Sequence, residues 1–291
     1  MEIKPSIILI PPCKSIKADT LRIQFSSTIV YACDFYIDEI EKAFPIAGGF
    51  RSGLIINIDH HAPVEAMANF NTSTSLAIDY VNTYGVAGNN DKIIINHTDC
   101  DSILSSLIIA GLLEPKEEYK HAALCADHTG EISEISEILQ ALEKERTVDL
   151  SIHSLMSFIS TGKVASNIIP YLNAYRACRQ RVHDYVSKAY SVGDIVVVPI
   201  DSDINSIMLL SCFPNAKIIM TVSPHLLYPQ KMAISVMRGP KAPKALYINT
   251  LPLPPEFGGR WNMGSNKRSG GTSLPIDFYI EIIQKELERS S

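Results

Sequence analysis

The residues best suited to chemistry are Asp59, His60 and His61, which follow an apolar run at residues 54–58. Carboxylate oxygens and imidazole nitrogens bind divalent metal ions, and an open α/β sheet binds its ligands at the carboxyl ends of its strands. Three consecutive ionisable residues at the end of an apolar strand therefore predict a functional site rather than a packing role.

Three further apolar segments also run into acidic residues. These segments, with the polar residues that follow them, are 92–96 with His97, Asp99 and Asp101, 122–126 with Asp127, and 27–33 with Asp34. We interpret all four segments as strands. If the strands are parallel neighbours, these side chains converge on one crevice at the edge of the sheet.

The mixture of carboxylates and imidazoles suits manganese, magnesium or zinc, and its large carboxylate share favours manganese or magnesium. The candidate ligands are sufficient for two ions and comprise Asp34, His60, His97, Asp99, Asp101 and Asp127. Two ions about 3.5–4 Å apart clamp a phosphoryl group and generate a hydroxide nucleophile.

Each aspartate also has a simpler interpretation when it is taken alone. Asp101 and Asp34 would each serve as the N-cap of a following helix, and Asp127 would serve as a turn residue. Capping and turns are less able to explain four strand-terminal aspartates together, one of which is followed by two histidines.

Composition indicates a globular chain with a reduced, cytoplasmic environment. The 291 residues are 46% hydrophobic and 20% charged, with a net charge of −5, which argues against a duplex-DNA binder. The cysteines form no CxxC pair, which favours buried free thiols over a zinc site or a disulfide. No signal peptide or membrane-spanning stretch is evident, so we expect a cytoplasmic protein with no membrane partner.

The order of apolar segments predicts an α/β protein with a mainly parallel sheet, flanking helices, a helical connector and a smaller α+β C-terminal domain. The expected limits are 1–133, 134–190 and 191–291. Helices are expected at 38–44, 74–84, 102–113, 134–145, 167–186 and 277–288, the fourth of these on the surface. Strands of the C-terminal domain are expected at 194–200, 217–222 and 231–237.

A glycine-rich segment at residues 258–272 is the second candidate site. Backbone N–H groups beside glycine approach anions closely, and Arg and Lys add charged contacts. The candidate substrate-binding residues are Arg238, Gly258, Gly259, Arg260, Asn266, Lys267 and Arg268. Trp261 offers a ring for stacking on a base. The alternative is a flexible, solvated loop.

These motifs together resemble the DHH phosphoesterase superfamily. Residues 59–61 match its name motif, residues 70–75 (FNTSTS) resemble the segment that follows it in oligoribonuclease-type members, and residues 97–101 (HTDCD) resemble its H-x-D-x-D motif. Residues 127–130 (DHTG) resemble its Asp-Thr-Gly motif with one residue inserted. Gly258 and Gly259 resemble the signature of the DHH-associated C-terminal domain.

The resemblance implies a role for each ligand candidate, although the H-x-D-x-D motif normally precedes the name motif and here follows it. His97 and Asp99 would bind one manganese ion, Asp101, His60 and Asp127 would bind the other, and Asp34 would bridge the two. The resemblance also implies that Asp59 orients a neighbouring imidazole and that His61 contacts the scissile phosphate or assists proton transfer.

The expected function is therefore hydrolysis of a phosphodiester or phosphomonoester with two Mn²⁺ ions, or Mg²⁺ in their place. The substrate classes that the resemblance implies are short single-stranded oligonucleotides, 3′-phosphoadenosine 5′-phosphate and cyclic dinucleotides. Pyrophosphate or polyphosphate hydrolysis and a non-catalytic nucleotide sensor are the alternatives. The oligomeric state is left open, with a homodimer as one alternative.

Overall fold

The computed structural model describes residues 5–13, 15–64, 67–201, 204–254 and 257–290, so the predicted domain limits at residues 1 and 291 lie outside them. The chain forms two compact units. The first contains residues up to His128 and Ile132–Arg176, and the second contains Thr129–Glu131 and residues from Ala177 onwards. Residues 132–176 therefore belong to the first unit, whereas a separate connector at 134–190 was expected.

The first unit has eight strands in its described part and contains or begins seven helices. The strands are β1 (Ser6–Leu9), β2 (Ser15–Lys17), β3 (Val30–Cys33), β4 (Tyr36–Asp38), β5 (Phe44–Ile46), β6 (Gly49–Ser52), β7 (Ile55–Ile58) and β8 (Lys92–Ile95). The helices are α1 (Ala18–Gln24), α2 (Ser73–Tyr84), α3 (Cys100–Ile109), α4 (Glu117–Leu124), α5 (Glu134–Leu142), α6 (Val148–Thr161) and α7 (Ile169–Val186).

The main sheet has the strand order β1-β8-β3-β7-β6-β5. Strands β1, β8, β3 and β7 run parallel, β6 pairs with β7 in the antiparallel direction, and β5 pairs with β6 in the antiparallel direction. The prediction of a mainly parallel α/β sheet is therefore confirmed. Apart from Asn57 and Lys92, its central strands β8, β3 and β7 consist of buried Ile, Val, Ala, Tyr and Cys side chains, as is typical of strands in a parallel sheet.

Strand register brings three candidate segments to one edge of this sheet. Cys33 at the end of β3 pairs with Ile58 at the end of β7, and Ala32 pairs with Ile94 of β8. The residues that follow these three strands therefore leave the sheet side by side, in the order β8, β3, β7. The chain order of the motifs differs from this order in space.

The expected strand at residues 122–126 is wrong. These residues continue helix α4, which ends in a π-helical turn at Cys125–Thr129. The run Ala-Ala-Leu-Cys-Ala has no β-branched residue, and Ala and Leu are the best helix formers, so an apolar run of this composition favours a helix. Asp127 therefore reaches the site from a helix rather than from a strand.

Two helix predictions also need correction. Residues 38–44 form no amphipathic helix: Glu39 has a left-handed backbone, a single 3₁₀ turn follows it, and Pro45 lies in β5. Helix α5 forms as expected but is largely buried, because Ile138, Leu139 and Leu142 face neighbouring helices. None of the helices in the described ranges has the length and apolar content that a bilayer crossing requires.

The second unit is an α+β fold, in agreement with the prediction. Its strands are β9 (Tyr190–Val192), β10 (Ile195–Pro199), β11 (Ile218–Pro224), β12 (Met232–Arg238), β13 (Gly258–Arg260) and β14 (Met263–Ser265), and its C-terminal helix is α8 (Ile276–Ser290). The sheet order is β13-β14-β12-β11-β10-β9, with only β10 and β11 parallel. Tyr279, Ile283 and Leu287 of α8 belong to the core of this unit.

Asn57 is a polar residue in the middle of buried strand β7, and it fixes the segment that follows β3. Its Nδ2 donates to the carbonyls of Ala32 and Phe35, and its Oδ1 accepts from the backbone N–H of Ile37. These partners flank Asp34 on both sides. The amide therefore satisfies buried backbone groups that the turn at Asp34 removes from regular pairing.

We predict that Asn57→Ala lowers the free energy of unfolding by about 3 kcal/mol, because three hydrogen bonds are lost and buried backbone groups keep no partner. Urea denaturation measures this change. The matched control is Asn82→Ala on the exposed surface of α2, which is expected to change the stability by less than about 0.5 kcal/mol. Equal stability of the two variants would contradict this role of Asn57.

Candidate metal centre

Asp34 lies at the centre of the cluster, directly after the central strand β3. Its φ is 61°, a left-handed conformation that non-glycine residues seldom adopt and that occurs preferentially at functional sites. The carboxylate is buried and accepts hydrogen bonds from Ser73 Oγ and Ser102 Oγ, each at 2.9 Å. Two hydroxyls therefore fix the orientation of its two oxygens.

One half of the cluster is formed by Asp34, His97 and Asp99. His97 Nε2 lies 3.0 Å from Asp34 Oδ2 and 3.2 Å from Asp99 Oδ2. Asp99 also caps α3, since its Oδ1 accepts from the N–H of Ser102. These three residues offer ligand atoms within 4.8 Å of one another, which is close enough to hold one ion.

The other half is formed by His60, Asp127 and His128. His60 Nε2 lies 3.3 Å from Asp127 Oδ2 and 3.6 Å from Asp34 Oδ1. His60, Asp127 and His128 also offer ligand atoms within 4.8 Å of one another, and all three are buried. His128, the residue inserted in the Asp-Thr-Gly motif, is not among the ligands predicted from the sequence.

Asp59 and His61 form a close pair beside this cluster. His61 Nδ1 lies 2.6 Å from Asp59 Oδ1 and 3.7 Å from Asp34 Oδ1. The Asp59 carboxylate is buried, whereas the His61 side chain is partly exposed. A carboxylate on Nδ1 fixes the ring and selects the tautomer in which Nε2 accepts a proton.

Asp101 lies in the cluster, but its carboxylate already has two backbone donors. Its oxygens accept from the N–H groups of Ser73 and Thr74 at the start of α2, both at 2.7 Å. His60 Nε2 lies 3.7 Å from Asp101 Oδ2. Because Asp99 rather than Asp101 caps α3, the capping alternative for Asp101 is wrong, and its role as a metal ligand stays a prediction.

The charge balance of the cluster fits a divalent cation. Asp34, Asp59, Asp101 and Asp127 are all buried. In the ion pairs described for this group the partners are histidines, with no Lys or Arg among them. Four buried carboxylates are costly without positive charge, and oxygen with imidazole donors suit Mn²⁺, Mg²⁺ or Zn²⁺. The residues present therefore fit the two ions that the sequence predicts.

The protonation of these groups reflects their burial and proximity. Burial acts to raise the pKa of Asp34, but the hydrogen bond and charge of His97, with His61 and His60, lower it overall. Burial acts to lower the pKa of His97, but Asp99 and Asp34 raise it to about 12. Burial, together with Asp34 and Asp127, raises the pKa of Asp101 well above its usual range. The carboxylates therefore hold positive charge on imidazole, as they would hold a cation.

Asn96 is a second residue that sequence analysis missed. Its Oδ1 is hydrogen-bonded to His97 Nδ1, and its Nδ2 donates to the carbonyl of Cys13 at 2.8 Å. Arg146 donates to the Asn96 carbonyl at 2.9 Å. This network fixes the end of β8 and the ring of His97, which is the usual arrangement around a ligating histidine. An amide directly before the histidine is the only signal that the sequence offers.

The predicted substrate residue Arg238 is held within its own unit. Its guanidinium donates to the carbonyls of Pro243, Lys244 and Leu246 and lies over the Trp261 ring at 5.2 Å. Burial lowers the pKa of Arg238. These contacts give Arg238 and Trp261 a structural role, and their predicted contacts with substrate stay predictions.

The glycine-rich segment is ordered rather than a flexible loop. Gly258, Gly259 and Arg260 in β13 pair with β14, and a Cβ on Gly259 would lie 2.2 Å from the Met263 carbonyl. Asn266 Oδ1 accepts from the N–H of Ile234, and Lys267 and Arg268 begin a 3₁₀ turn. Close strand pairing therefore explains Gly259, and its predicted role in anion binding stays a prediction.

His225 fixes the position of this 3₁₀ turn. Its Nδ1 accepts from the N–H groups of Leu227 and Tyr228, so Nε2 carries the proton and donates to the Lys267 carbonyl at 2.9 Å. The ring is buried and stacks on Tyr228. His225 therefore connects the β11–β12 turn to the candidate basic residues. No motif in the sequence predicts this role of His225.

Comparisons with known proteins give structural likeness only. No protein-family model matches the sequence, and no curated protein matches it in a sequence search. The solved structures that are similar to the chain include three proteins of different organisms. The pGpG-specific phosphodiesterase PggH from Vibrio cholerae has 10% identity and a TM-score of 0.44, with 68% of this chain and 76% of that one covered.

An exopolyphosphatase-related protein from Bacteroides fragilis has 13% identity and a TM-score of 0.40, with 93% of this chain and 74% of that one covered. RecJ from Thermus thermophilus, solved in complex with Mn²⁺, has 10% identity and a TM-score of 0.44, with 97% of this chain and 45% of that one covered. At these scores the likenesses carry no functional conclusion, so the metal centre rests on the residues of this chain.

We predict that Mn²⁺ raises the melting temperature of the protein and that Asp34→Asn abolishes most of this rise, because the central carboxylate faces both halves of the cluster. At a hundredfold excess over Kd, one site contributes about 2.7 kcal/mol to stability. Thermal unfolding with Mn²⁺ and with EDTA measures the difference.

The control for this experiment is Asp79→Asn, which removes an exposed carboxylate on α2 and is expected to keep the full rise. A rise of the same size in Asp34→Asn and the wild type would exclude Asp34 from the metal centre.

Proposed function

We infer that the chain belongs to the DHH phosphoesterase superfamily, and we propose that it is a hydrolase of phosphoric esters that uses two divalent metal ions. The motifs at residues 59–61, 97–101 and 127–130, with Asp34, supply the inference. Their candidate ligand residues lie in one cluster in the first unit, although the order of the motifs along the chain is unusual for the superfamily. Mn²⁺ is the proposed ion because four of the six predicted ligands, Asp34, Asp99, Asp101 and Asp127, are carboxylates.

The position of Asp34 between two imidazoles is the observation that carries the proposal. Asp34 Oδ2 lies 3.0 Å from His97 Nε2, and Asp34 Oδ1 lies 3.6 Å from His60 Nε2. Each oxygen of one carboxylate therefore faces a different half of the cluster. This is the arrangement that a bridging ligand requires, and a site for one ion would not need it.

Bound metal ions would supply Lewis acidity and an activated water molecule to this site. The residues of the chain then have separate tasks. Asp34, His60, His97, Asp99, Asp101 and Asp127 would hold the ions. Asp101 also accepts from the N–H groups of Ser73 and Thr74 at the start of α2 and thereby keeps Ser73 beside Asp34. Ser73 and Ser102 fix the Asp34 oxygens by hydrogen bonding. The cluster is thereby arranged before substrate arrives.

The Asp59–His61 pair is proposed to accept and donate a proton during the reaction. With Nδ1–H held by Asp59, the Nε2 atom of His61 accepts a proton in the neutral ring and donates one after protonation. The partial exposure of His61 gives it access to a molecule that enters from solvent. His61 is therefore the proposed proton carrier or phosphate contact, and Asp59 is its orienting partner.

The proposed substrate is a small nucleotide: a short single-stranded oligonucleotide, 3′-phosphoadenosine 5′-phosphate or a cyclic dinucleotide. A buried carboxylate cluster repels a phosphate unless cations intervene, so substrate binding should depend on the metal. Lys267 and Arg268 of the second unit are the proposed basic contacts. Pyrophosphate or polyphosphate is the alternative substrate class.

We predict that the protein hydrolyses bis(p-nitrophenyl) phosphate when Mn²⁺ is present and that Asp127→Asn lowers kcat by more than about 100-fold, which is the upper range for residues that only support a metal ligand. Steady-state assays over a range of Mn²⁺ concentrations measure this loss. The matched control, Asp149→Asn, removes an exposed carboxylate at the start of α6 and should keep the wild-type rate.

Turnover of pyrophosphate with no turnover of the diester would replace the proposed substrate class by the alternative one. Nucleotide binding with no turnover at any Mn²⁺ concentration would contradict the enzyme proposal and indicate a sensor.

We predict that Arg268→Ala raises KM for a nucleotide substrate about tenfold and leaves kcat nearly unchanged, because Arg268 is exposed and is proposed to bind the ground state. Arg289→Ala, an exposed arginine near the end of α8, is the control and should leave KM unchanged. A loss confined to kcat would instead place Arg268 in contact with the transition state.

A further inference from the structure

We propose that His128 is an additional metal ligand, which coordinates through Nδ1 the ion held by His60 and Asp127. This inference rests on the proposed function and adds a residue to its metal centre. His128 lies between Asp127 and Thr129, where the resemblance to the Asp-Thr-Gly motif implies one inserted residue. With it, one half of the cluster has two imidazoles and one carboxylate.

The first support is the position of His128. The side chain is 3% exposed, and its ring lies 5.4 Å from that of His60 in an edge-to-face arrangement. One ligand atom each of His60, Asp127 and His128 lies within 4.8 Å of the others. A buried imidazole at this distance from a carboxylate and a second imidazole has the spacing of a coordination site.

The second support is the tautomer of His128. Its Nε2 lies 2.8 Å from the carbonyl oxygen of Asn71. A carbonyl only accepts hydrogen bonds, so Nε2 carries the proton and donates it. In the neutral ring Nδ1 then has a lone pair. Metal-ligating histidines typically donate the N–H of the other ring nitrogen to a carbonyl or carboxylate in this way.

The third support is the local backbone. The inserted residue is accommodated by the π-helical turn Cys125–Thr129, and such turns occur frequently at functional sites. The turn lets Asp127 and His128 face the same cluster although they are adjacent in sequence. Phe70 covers the His128 ring edge-on at 5.5 Å, which restricts its rotation.

The consequence is that the two halves of the cluster have different donor sets. The Asp34–His97–Asp99 half has two carboxylates and one imidazole, whereas the His60–Asp127–His128 half has the reverse. Imidazole suits Zn²⁺ better than Mg²⁺, and carboxylate suits Mg²⁺ and Mn²⁺. Loss of His128 should therefore weaken the binding of Zn²⁺ more than the binding of Mn²⁺.

The test is isothermal titration calorimetry with Mn²⁺ and with Zn²⁺, which compares the metal affinities of the full wild-type chain with those of His128→Gln. We expect two sites in the wild type and at least about tenfold weaker binding at one of them in the variant. The control is His153→Gln, an exposed histidine on α6, which should bind both ions as the wild type does. Unchanged affinities in His128→Gln would overturn the inference.

A second measurement does not depend on the folding of a variant. Pulsed EPR of the wild type, labelled with ¹⁵N-histidine and loaded with Mn²⁺, counts the histidines bound to the ions. Three coupled histidines are expected, from His60, His97 and His128, and two would overturn the inference. A wild type that binds no Mn²⁺ would overturn the proposed function itself, whereas two ions with only two histidines would overturn the role of His128 alone.

Discussion

The arrangement of this protein depends on the burial of several carboxylates at one edge of a parallel sheet. Asp34, Asp59, Asp101 and Asp127 are nearly inaccessible to water, so their mutual repulsion is only weakly screened. Such a group is stable only if positive charge lies within it. The histidines supply part of this charge in the protein alone, and divalent cations would supply it more fully.

Backbone N–H groups and serine hydroxyls reduce the free-energy cost of this burial by donating hydrogen bonds to individual carboxylates. Ser73 and Thr74, at the start of α2, direct N–H groups to Asp101, and Ser102 in α3 directs its N–H to Asp99. The positive ends of two helices therefore face the carboxylates. The same contacts hold the ligands in place, so stability of the helices and geometry of the site are coupled.

The sequence predicted the sheet and the acidic strand ends correctly, because β-branched runs followed by Asp are a local signal. The predicted strand before Asp127 is wrong, because the run before Asp127 is rich in Ala and Leu and continues a helix. The prediction also missed Asn96 and His128. Their roles depend on the Cys13 and Asn71 carbonyls, which only the folded chain brings within reach. Local patterns therefore identify the donors, while tertiary contacts decide which of them serve the site.

The unusual order of the motifs is compatible with the site because convergence depends on neighbouring strands, not on their succession in the chain. Strand β8 enters the sheet after β3 and β7, yet it pairs with β3 and places His97 beside Asp34. Because β3 lies between β8 and β7, the residue after β3 is the one that reaches both neighbours. A central ligand must therefore follow the central strand, and any chain order that keeps β3 between the other two strands would preserve it.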